Sequence, residues 1–184
     1  RAEGWLPDLM ENVRIRTIMG TYQAMLSNFR HVRAEWKHNQ EDERLLGVSL
    51  TGIMDHPILS QVSDTARSWL DQLRQCAIDT NTIWAAKLGI RQSVAITTVK
   101  PSGTVSQLVD AASGKHERYA PFYIRTVRGD NKDPLTQMMI SQGFPSEPAF
   151  GKEESTTVFS FAVKSPAGVC TRNDRTAIQQ LEHY

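Results

Sequence analysis

The sequence predicts an α/β fold, because short runs rich in β-branched residues alternate with longer stretches that are apolar at helical spacing. Residues 45–50 and 93–99 have the length and composition of buried strands. Between them, residues 63–88 carry apolar side chains on one stripe, which is typical of a helix packed on a core. A strand, a long helix and another strand in this order imply a crossover connection.

Two helical stretches precede the first of these strands. Asp8 is a suitable N-cap for a helix whose apolar residues share one broad face, and a second helical stretch reaches about Trp36. Residues 38–42 are polar and predict a break before the strand. The long helix is expected to end before Gly89, a residue type that commonly follows the last helical turn.

The second strand leads into a segment that suits anion binding. Residues 100–103 stop the strand, and residues 104–109 predict one or two helical turns. The first amides of a helix have no internal partner and favour negative charge. Gly103 lets the backbone approach a ligand closely. Hydroxyl donors and a cation are also present: Ser102, Thr104, Ser106 and Lys100. The open alternative is that Ser102 or Thr104 only caps a short helix.

Two more strands and one helix are predicted beyond this segment. Residues 122–127 alternate in the manner of a strand, and residues 157–163 form another apolar, β-branched run. Pro134 is expected at the first position of a helix that continues to about Gln142. Helices between strands again imply crossover connections.

The C-terminal part carries further expectations. Residues 144–155, with two prolines and three glutamates, predict a solvent-exposed connection. Asn173 or Asp174 is expected to cap a final helix. Because this helical pattern runs to the last residue and no initiating methionine is present, we expect residues 1–184 to form a single partial domain, truncated at both ends.

Composition argues against several classes of protein. There are 21 basic and 20 acidic residues, so neither nucleic acid nor membrane is an expected partner. Only two cysteines occur, Cys76 and Cys170, which predicts a reducing, cytoplasmic location rather than a disulfide framework. Cys76 falls on the apolar stripe of the long helix and is expected in the core. The histidines lack the spacing of a metal site.

Four separated blocks resemble class II ribonucleotide reductases, in the order found in that family. They are residues 43–55 (ERLLGVSLTGIMD), 100–116 (KPSGTVSQLV, then ASG and His116), 123–130 (YIRTVRGD) and 171–182 (TRND, then AIQQLE). The resemblance covers essentially the whole chain and is closest to the adenosylcobalamin-dependent ribonucleoside-triphosphate reductases. It implies an incomplete piece of a ten-stranded α/β barrel, adenosylcobalamin as cofactor, a ribonucleoside triphosphate as substrate and a thioredoxin-like reductant.

The resemblance also implies roles for individual residues. In relatives the Pro-Ser-Gly-Thr loop binds the substrate phosphates. Carried over, the phosphate-binding residues are Ser102, Gly103, Thr104, Val105 and Ser106. Lys100 and His116 are possible pocket residues, and a structural role is the alternative for His116. Lys115 and Glu117 depart from the family pattern, which has an apolar residue and a proline there, so the local loop conformation is expected to differ.

The chemistry implied by the resemblance needs residues that this sequence lacks. In the family, cobalt–carbon homolysis gives a cysteine thiyl radical that takes the 3′ hydrogen of the substrate. Water then leaves C2′, helped by a carboxylate and by a cysteine pair that becomes a disulfide. The finger-loop motif, of Asn-x-Cys-x-Glu type, is absent. We therefore expect no catalytic residue and no metal ligand here, and no activity of this segment alone.

Two other functions stay open from the sequence. One is a stand-alone, non-catalytic module that binds a nucleotide or phosphate, and the other is a ribonucleotide reductase of another radical class. An exposed apolar face and unpaired strand edges would favour a reductase segment over the stand-alone module. Arg118, Arg125 and Arg128 form either a basic surface or a solvated strand edge, and the latter is the simpler interpretation.

Overall fold

The computed structural model describes residues 6–100 and 102–184, so residues 1–5 and Pro101, part of the predicted turn, lie outside the description. The helices are α1 (Leu6–Ala24), α2 (Ala34–Glu43), α3 (Asp64–Leu88), α4 (Val105–Leu108), α5 (Pro134–Ser141) and α6 (Ala177–His183), with a 3-10 turn at Ile53–Asp55. The strands are β1 (Phe122–Asp130), β2 (Ser146–Pro148) and β3 (Thr156–Lys164). Within the described ranges, no helix combines the length and apolarity needed to cross a membrane.

The core lies where α1 packs along α3. Its central buried side chains are Val13, Leu73, Ala77 and Ile96. Cys76 packs against this cluster, and its Sγ lies 3.6 Å from the carbonyl oxygen of Met10. The apolar stripe of the long helix and the packing of Cys76 in the core are therefore confirmed.

The predicted strands at 45–50 and 93–99 run parallel, with α3 as the crossover between them. The backbone hydrogen bonds are Leu46 N to Ala95 O (2.9 Å), Val48 N to Ile96 O (2.9 Å) and Thr98 N to Val48 O (3.0 Å). Regular pairing is confined to one bridge, between Val48 and Thr97. The ordered strands are shorter than predicted because, among the described residues, each segment is paired along one side only.

The C-terminal sheet has the order β1-β3-β2, and all its pairs are antiparallel. The prediction of a crossover is wrong here, because the eight-residue α5 is followed by β2 and the chain then returns against β1. The connection predicted at 144–155 is largely solvent-exposed, as expected, and it also contains the short strand β2. The three side chains of β2 are all exposed, so no alternation marks it, and backbone pairing with β3 holds it.

The helix ends mostly follow the predicted capping residues. The side chain of Asp133 accepts a hydrogen bond from the amide of Leu135, and Gly89 has the left-handed φ of 66°. The prediction that Asn173 or Asp174 caps α6 is wrong. Thr176 caps it through a capping box with Gln179, while the Asp174 carboxylate accepts from the amide and hydroxyl of Thr171 at 2.7 Å.

Two predictions near the N-terminus are wrong as well. Asp8 lies inside the first turn of α1 rather than at its N-cap. Residues 38–42, predicted as a break, lie inside α2. This helix buries none of its residues, so it shows no apolar face. A pair one turn apart, His38 Nε2 and Asp42 Oδ2 at 3.0 Å, supports it on the surface.

Candidate functional site

The loop formed by residues 102–106, called here loop 102–106, is closed by Ser106. The hydroxyl of Ser106 donates to the carbonyl oxygen of Ser102 at 2.6 Å, and its amide donates to the same oxygen at 3.1 Å. Ser106 is 0% exposed. The sequence predicted this hydroxyl as a donor to a ligand. In this structure it donates to a carbonyl oxygen within the loop instead.

A cluster of three hydroxyl residues, Thr51, Ser102 and Ser113, supports the start of the loop. The hydroxyl oxygens of Thr51 and Ser102 lie 2.6 Å apart, and those of Ser102 and Ser113 lie 3.5 Å apart. The amide of Gly114 donates to Ser102 Oγ at 2.8 Å and to Thr51 Oγ1 at 3.2 Å. This hydroxyl cluster brings together two of the sequence blocks, 43–55 and 100–116, although the sequence singled out only Ser102 among its members.

The exposed side of loop 102–106 presents backbone donors. Among the described residues, the amides of Gly103, Thr104 and Val105 have no hydrogen-bond acceptor. A Cβ built on Gly103 would meet no heavy atom within 4 Å, so this glycine faces open space rather than a neighbouring segment. Consecutive amides without an internal acceptor are donors available to an anion.

A cavity of about 490 Å³ lies beside the ends of the paired 46–48 and 95–98 segments. Its polar lining includes Ser49, Arg74, Thr97, Thr98, Lys100 and Lys115. Three of these side chains are cations, and none of the described lining residues is a carboxylate. The cavity therefore has a positive lining that favours an anionic ligand.

The two predicted pocket residues differ in position. Lys100 lines the cavity. His116 is exposed, with its Nδ1 3.1 Å from the carbonyl oxygen of Ser113, and it is not among the lining residues. The prediction that His116 faces a pocket stays a prediction.

Lys115 is a lining residue that the sequence did not select. Its Nζ donates to Gln180 O at 3.1 Å and lies 4.3 Å from the centre of the Tyr184 ring. Burial lowers the pKa of Lys115, Arg175 acts in the same direction, and Glu117 opposes them. The signal available in the sequence was its departure from the family pattern.

Arg118 is buried and forms an ionic group with the partly buried Asp55 and the exposed Asp110. It is 6% exposed, and its Nε and Nη2 donate hydrogen bonds to the Asp55 carboxylate at 3.0 and 2.8 Å. Its Nη1 donates to Asp110 Oδ1 at 3.1 Å. The hydrogen bonds to Asp55 raise the pKa of Arg118 against the opposing effect of burial. The interpretation of Arg118 as a solvated strand edge is therefore wrong.

The arginines of β1 differ from Arg118. Arg125 is half-buried and Arg128 is exposed. Neither lines the cavity. Asp55, which the sequence did not select, is the partner that distinguishes Arg118 from them.

Comparisons with known proteins agree with the motifs. No protein-family model matches the chain. It is 29% identical over 149 residues to an adenosylcobalamin-dependent ribonucleoside-triphosphate reductase of Euglena gracilis, covering 79% of this chain and 20% of that protein. It is 36% identical over 96 residues to the protein of the same name from Lactobacillus delbrueckii subsp. bulgaricus, covering 52% of this chain and 13% of that protein.

A solved structure gives the same result for the fold. The crystal structure of a B12-dependent (class II) ribonucleotide reductase matches with a TM-score of 0.76 and 22% sequence identity, over 98% of this chain and 28% of that one. This chain thus spans about a fifth of the first of these relatives and about a quarter of the matching structure. The resemblance predicted from the motifs is therefore confirmed: the chain is similar in sequence to adenosylcobalamin-dependent ribonucleoside-triphosphate reductases and has the fold of a segment of a class II ribonucleotide reductase.

Proposed function

We propose that this chain is part of an adenosylcobalamin-dependent ribonucleoside-triphosphate reductase and that loop 102–106 binds the substrate phosphates. The observation that carries this proposal is the row of three amides, from Gly103 to Val105, that have no acceptor among the described residues, in a loop whose Gly103 faces open space. Such amides are donors suited to phosphate oxygens. The names of the curated relatives support the reaction class.

The charge of the cavity that Lys100 lines supports the same ligand, and none of residues 102–106 is itself a lining residue. Arg74, Lys100 and Lys115 line the neighbouring cavity, so a triphosphate would enter a positive environment. The cavity, at about 490 Å³, lies within the ~300–1,000 Å³ typical of small-molecule sites. We infer that the phosphates contact the loop amides while the nucleoside extends along the cavity.

We expect the cobalamin cofactor to lie outside the cavity that Lys100 lines. A corrin with its axial groups is larger than the drug-sized ligands that such cavities hold. Among the described residues, no group of three His, Cys, Asp or Glu side chains could hold a metal ion. In the proposed enzyme, bound adenosylcobalamin would supply the radical that starts the reduction.

The described cysteines also fit a binding segment rather than a radical centre. Cys76 packs against the α1–α3 core, and Cys170 is a half-buried free thiol. We propose that the cysteines for chemistry, and for reduction by a thioredoxin-like partner, belong to other parts of the complete protein. In that protein this chain would contribute to a ten-stranded α/β barrel.

Exposed apolar side chains favour this proposal over a stand-alone module. Phe122 and Ile124 are exposed on β1, whose outer edge has no strand partner among the described residues. A monomeric module would bury such a surface or keep it small. In a larger barrel, further strands and helices would cover it.

The proposal predicts that removing the Lys100 charge weakens phosphate binding selectively. In the complete protein, Lys100→Gln is expected to lower the affinity for CTP about tenfold, which corresponds to about 1.4 kcal/mol. The affinity for cytidine, which lacks phosphates, should change less than about twofold, because the lost interaction is electrostatic. Calorimetric titration of both ligands measures the difference.

Lys152→Gln is the matched control, because Lys152 is exposed and lies outside the cavity lining. This control should bind CTP as the unmodified protein does. Equal CTP affinities for Lys100→Gln and Lys152→Gln would contradict the proposed phosphate site.

A further inference from the structure

We propose that Arg118 is a positioning residue for loop 102–106. The inference rests on the proposed function, since it explains how the loop that binds phosphate is held. Arg118 acts through two intermediate segments, the turn at 51–55 and residues 110–114. The turn at 51–55 contacts the start of the loop, and residues 110–114 contact both its start and its end.

Arg118 is held rigidly enough for this role. Its guanidinium binds Asp55 through two nitrogens, at 3.0 and 2.8 Å, and this planar fork fixes direction as well as distance. Its Nη2 also donates to the carbonyl oxygen of Asp110 at 2.7 Å. Asp110 has a φ of 47°, the left-handed region that side chains other than glycine seldom adopt. The contacts from Arg118 hold this backbone conformation.

The first path leads from Asp55 to the start of the loop. Asp55 Oδ2 accepts a hydrogen bond from the amide of Ala112 at 2.7 Å. The carbonyl oxygen of Ala112 accepts from Gly52 N at 2.8 Å and from Thr51 Oγ1 at 3.0 Å. Thr51 Oγ1 lies 2.6 Å from Ser102 Oγ. The position of Ser102 is thus coupled to Arg118 through a continuous chain of hydrogen bonds.

The second path leads from Asp110 to the end of the loop. The amide of Ala111, the next residue, donates to the carbonyl oxygen of Ser106 at 2.8 Å. Ser106 in turn donates twice to the carbonyl oxygen of Ser102. A change in the backbone at Asp110 would therefore move Ser106. The three amides between Ser102 and Ser106 keep their direction only while both ends are fixed.

Fold stability alone is a weak explanation for this arrangement. Replacing a buried ion pair by apolar residues of similar volume is often neutral or stabilising, so such pairs are not retained for stability as a rule. Arg118 instead joins its own segment to the turn at 51–55 and to residues 110–114, and both of these contact loop 102–106. The ionic group therefore controls the backbone geometry of loop 102–106.

The test compares Arg118→Lys with Arg172→Lys in the complete protein. Lysine keeps the charge but lacks the fork that binds Asp55 and Asp110 together. Arg172 is a matched control, because its amide donates to Arg118 O while its guanidinium stacks on Tyr119, 3.7 Å from the ring centre. CTP and cytidine affinities are measured for both variants, together with their thermal unfolding.

Arg118→Lys is expected to weaken CTP binding at least about tenfold, with cytidine affinity within about twofold of the unmodified protein. Arg172→Lys should change neither. Unchanged CTP affinity in a folded Arg118→Lys protein would overturn the positioning role, as would an equal loss for CTP and cytidine. If Lys100→Gln also leaves CTP affinity unchanged, the proposed phosphate site itself has failed; if only Arg118→Lys does, the positioning role alone has failed.

Discussion

Asn81 shows how a single buried polar residue can join distant parts of the chain. It lies on α3 with 0% exposure, and its Nδ2 donates to Thr21 Oγ1 on α1 and to Ser93 Oγ, each at 3.0 Å. Its Oδ1 accepts from the amide of Ser93 at 3.0 Å. Because the side chain is fully paired, its burial is tolerated. Asn81 thus ties both helices to the segment that leads into loop 102–106.

We predict that Asn81→Leu destabilises the protein by about 2–4 kcal/mol. The amide and hydroxyl of Ser93 would lose their Asn81 partner in a buried environment, and the Thr21 hydroxyl would keep only its bond to the carbonyl oxygen of Thr17. Urea unfolding measures the change. Thr82→Val, at the next and exposed position of α3, is the control and should cost less than about 0.5 kcal/mol. A similar small value for Asn81→Leu would show that this network contributes little.

At the scale of single elements, α6 is attached mainly through polar groups. His183 Nε2 donates to Leu59 O at 2.8 Å, and Gln180 exchanges hydrogen bonds with Lys115. Arg175, just before α6, donates to the carbonyl oxygen of Ser60. This docking covers one side of the cavity, since Tyr184 is a lining residue.

The docking of α6 should depend on pH through His183. Burial lowers the pKa of His183 below its ordinary value of 6.5, and the charges of Arg175 and Lys115 act in the same direction, while Leu59 O and Glu117 oppose them. The unfolded state therefore binds the proton more readily than the folded state. The stabilisation is complete above about pH 6.5 and declines as pH falls towards the lowered pKa.

Thermal unfolding at about pH 8 and about pH 5.5 checks this expectation. His183→Gln should lose less stability on acidification than the unmodified protein, because glutamine cannot be protonated in this range. His31→Gln, at an exposed position, should keep the full dependence. If His183→Gln keeps it as well, the acid sensitivity arises elsewhere in the protein.

At the scale of the whole molecule, the sequence predicted the elements whose patterns are local. The stripe of α3 and its end at Gly89, Pro134 at the start of α5, and the alternation of β1 are properties of neighbouring residues. The full extent of α2 and the whole of β2 were missed because neither element buries a side chain. Neither therefore shows the periodic spacing of apolar residues that marks a helix or a strand. The antiparallel direction of the C-terminal strands was missed because it depends on the path of the chain from β1 through α5 and β2 to β3.

In the candidate site, too, only the parts with a local sequence pattern could be predicted. Loop 102–106 has a recognisable turn and helix start, and the resemblance assigns it a ligand. Thr51, Asp55 and Arg118 contribute through contacts that span up to 63 positions of sequence. No local pattern in the sequence marks such partners. They become visible only when the fold brings the three segments together.

The most direct test of the central claim is an experimental structure of the complete protein with CTP bound. We expect phosphate oxygens within about 2.7–3.2 Å of the amide nitrogens of residues 103–105, with the nucleoside along the cavity that Lys100 lines. Triphosphate density at another surface, with these amides bonded to protein atoms instead, would contradict it.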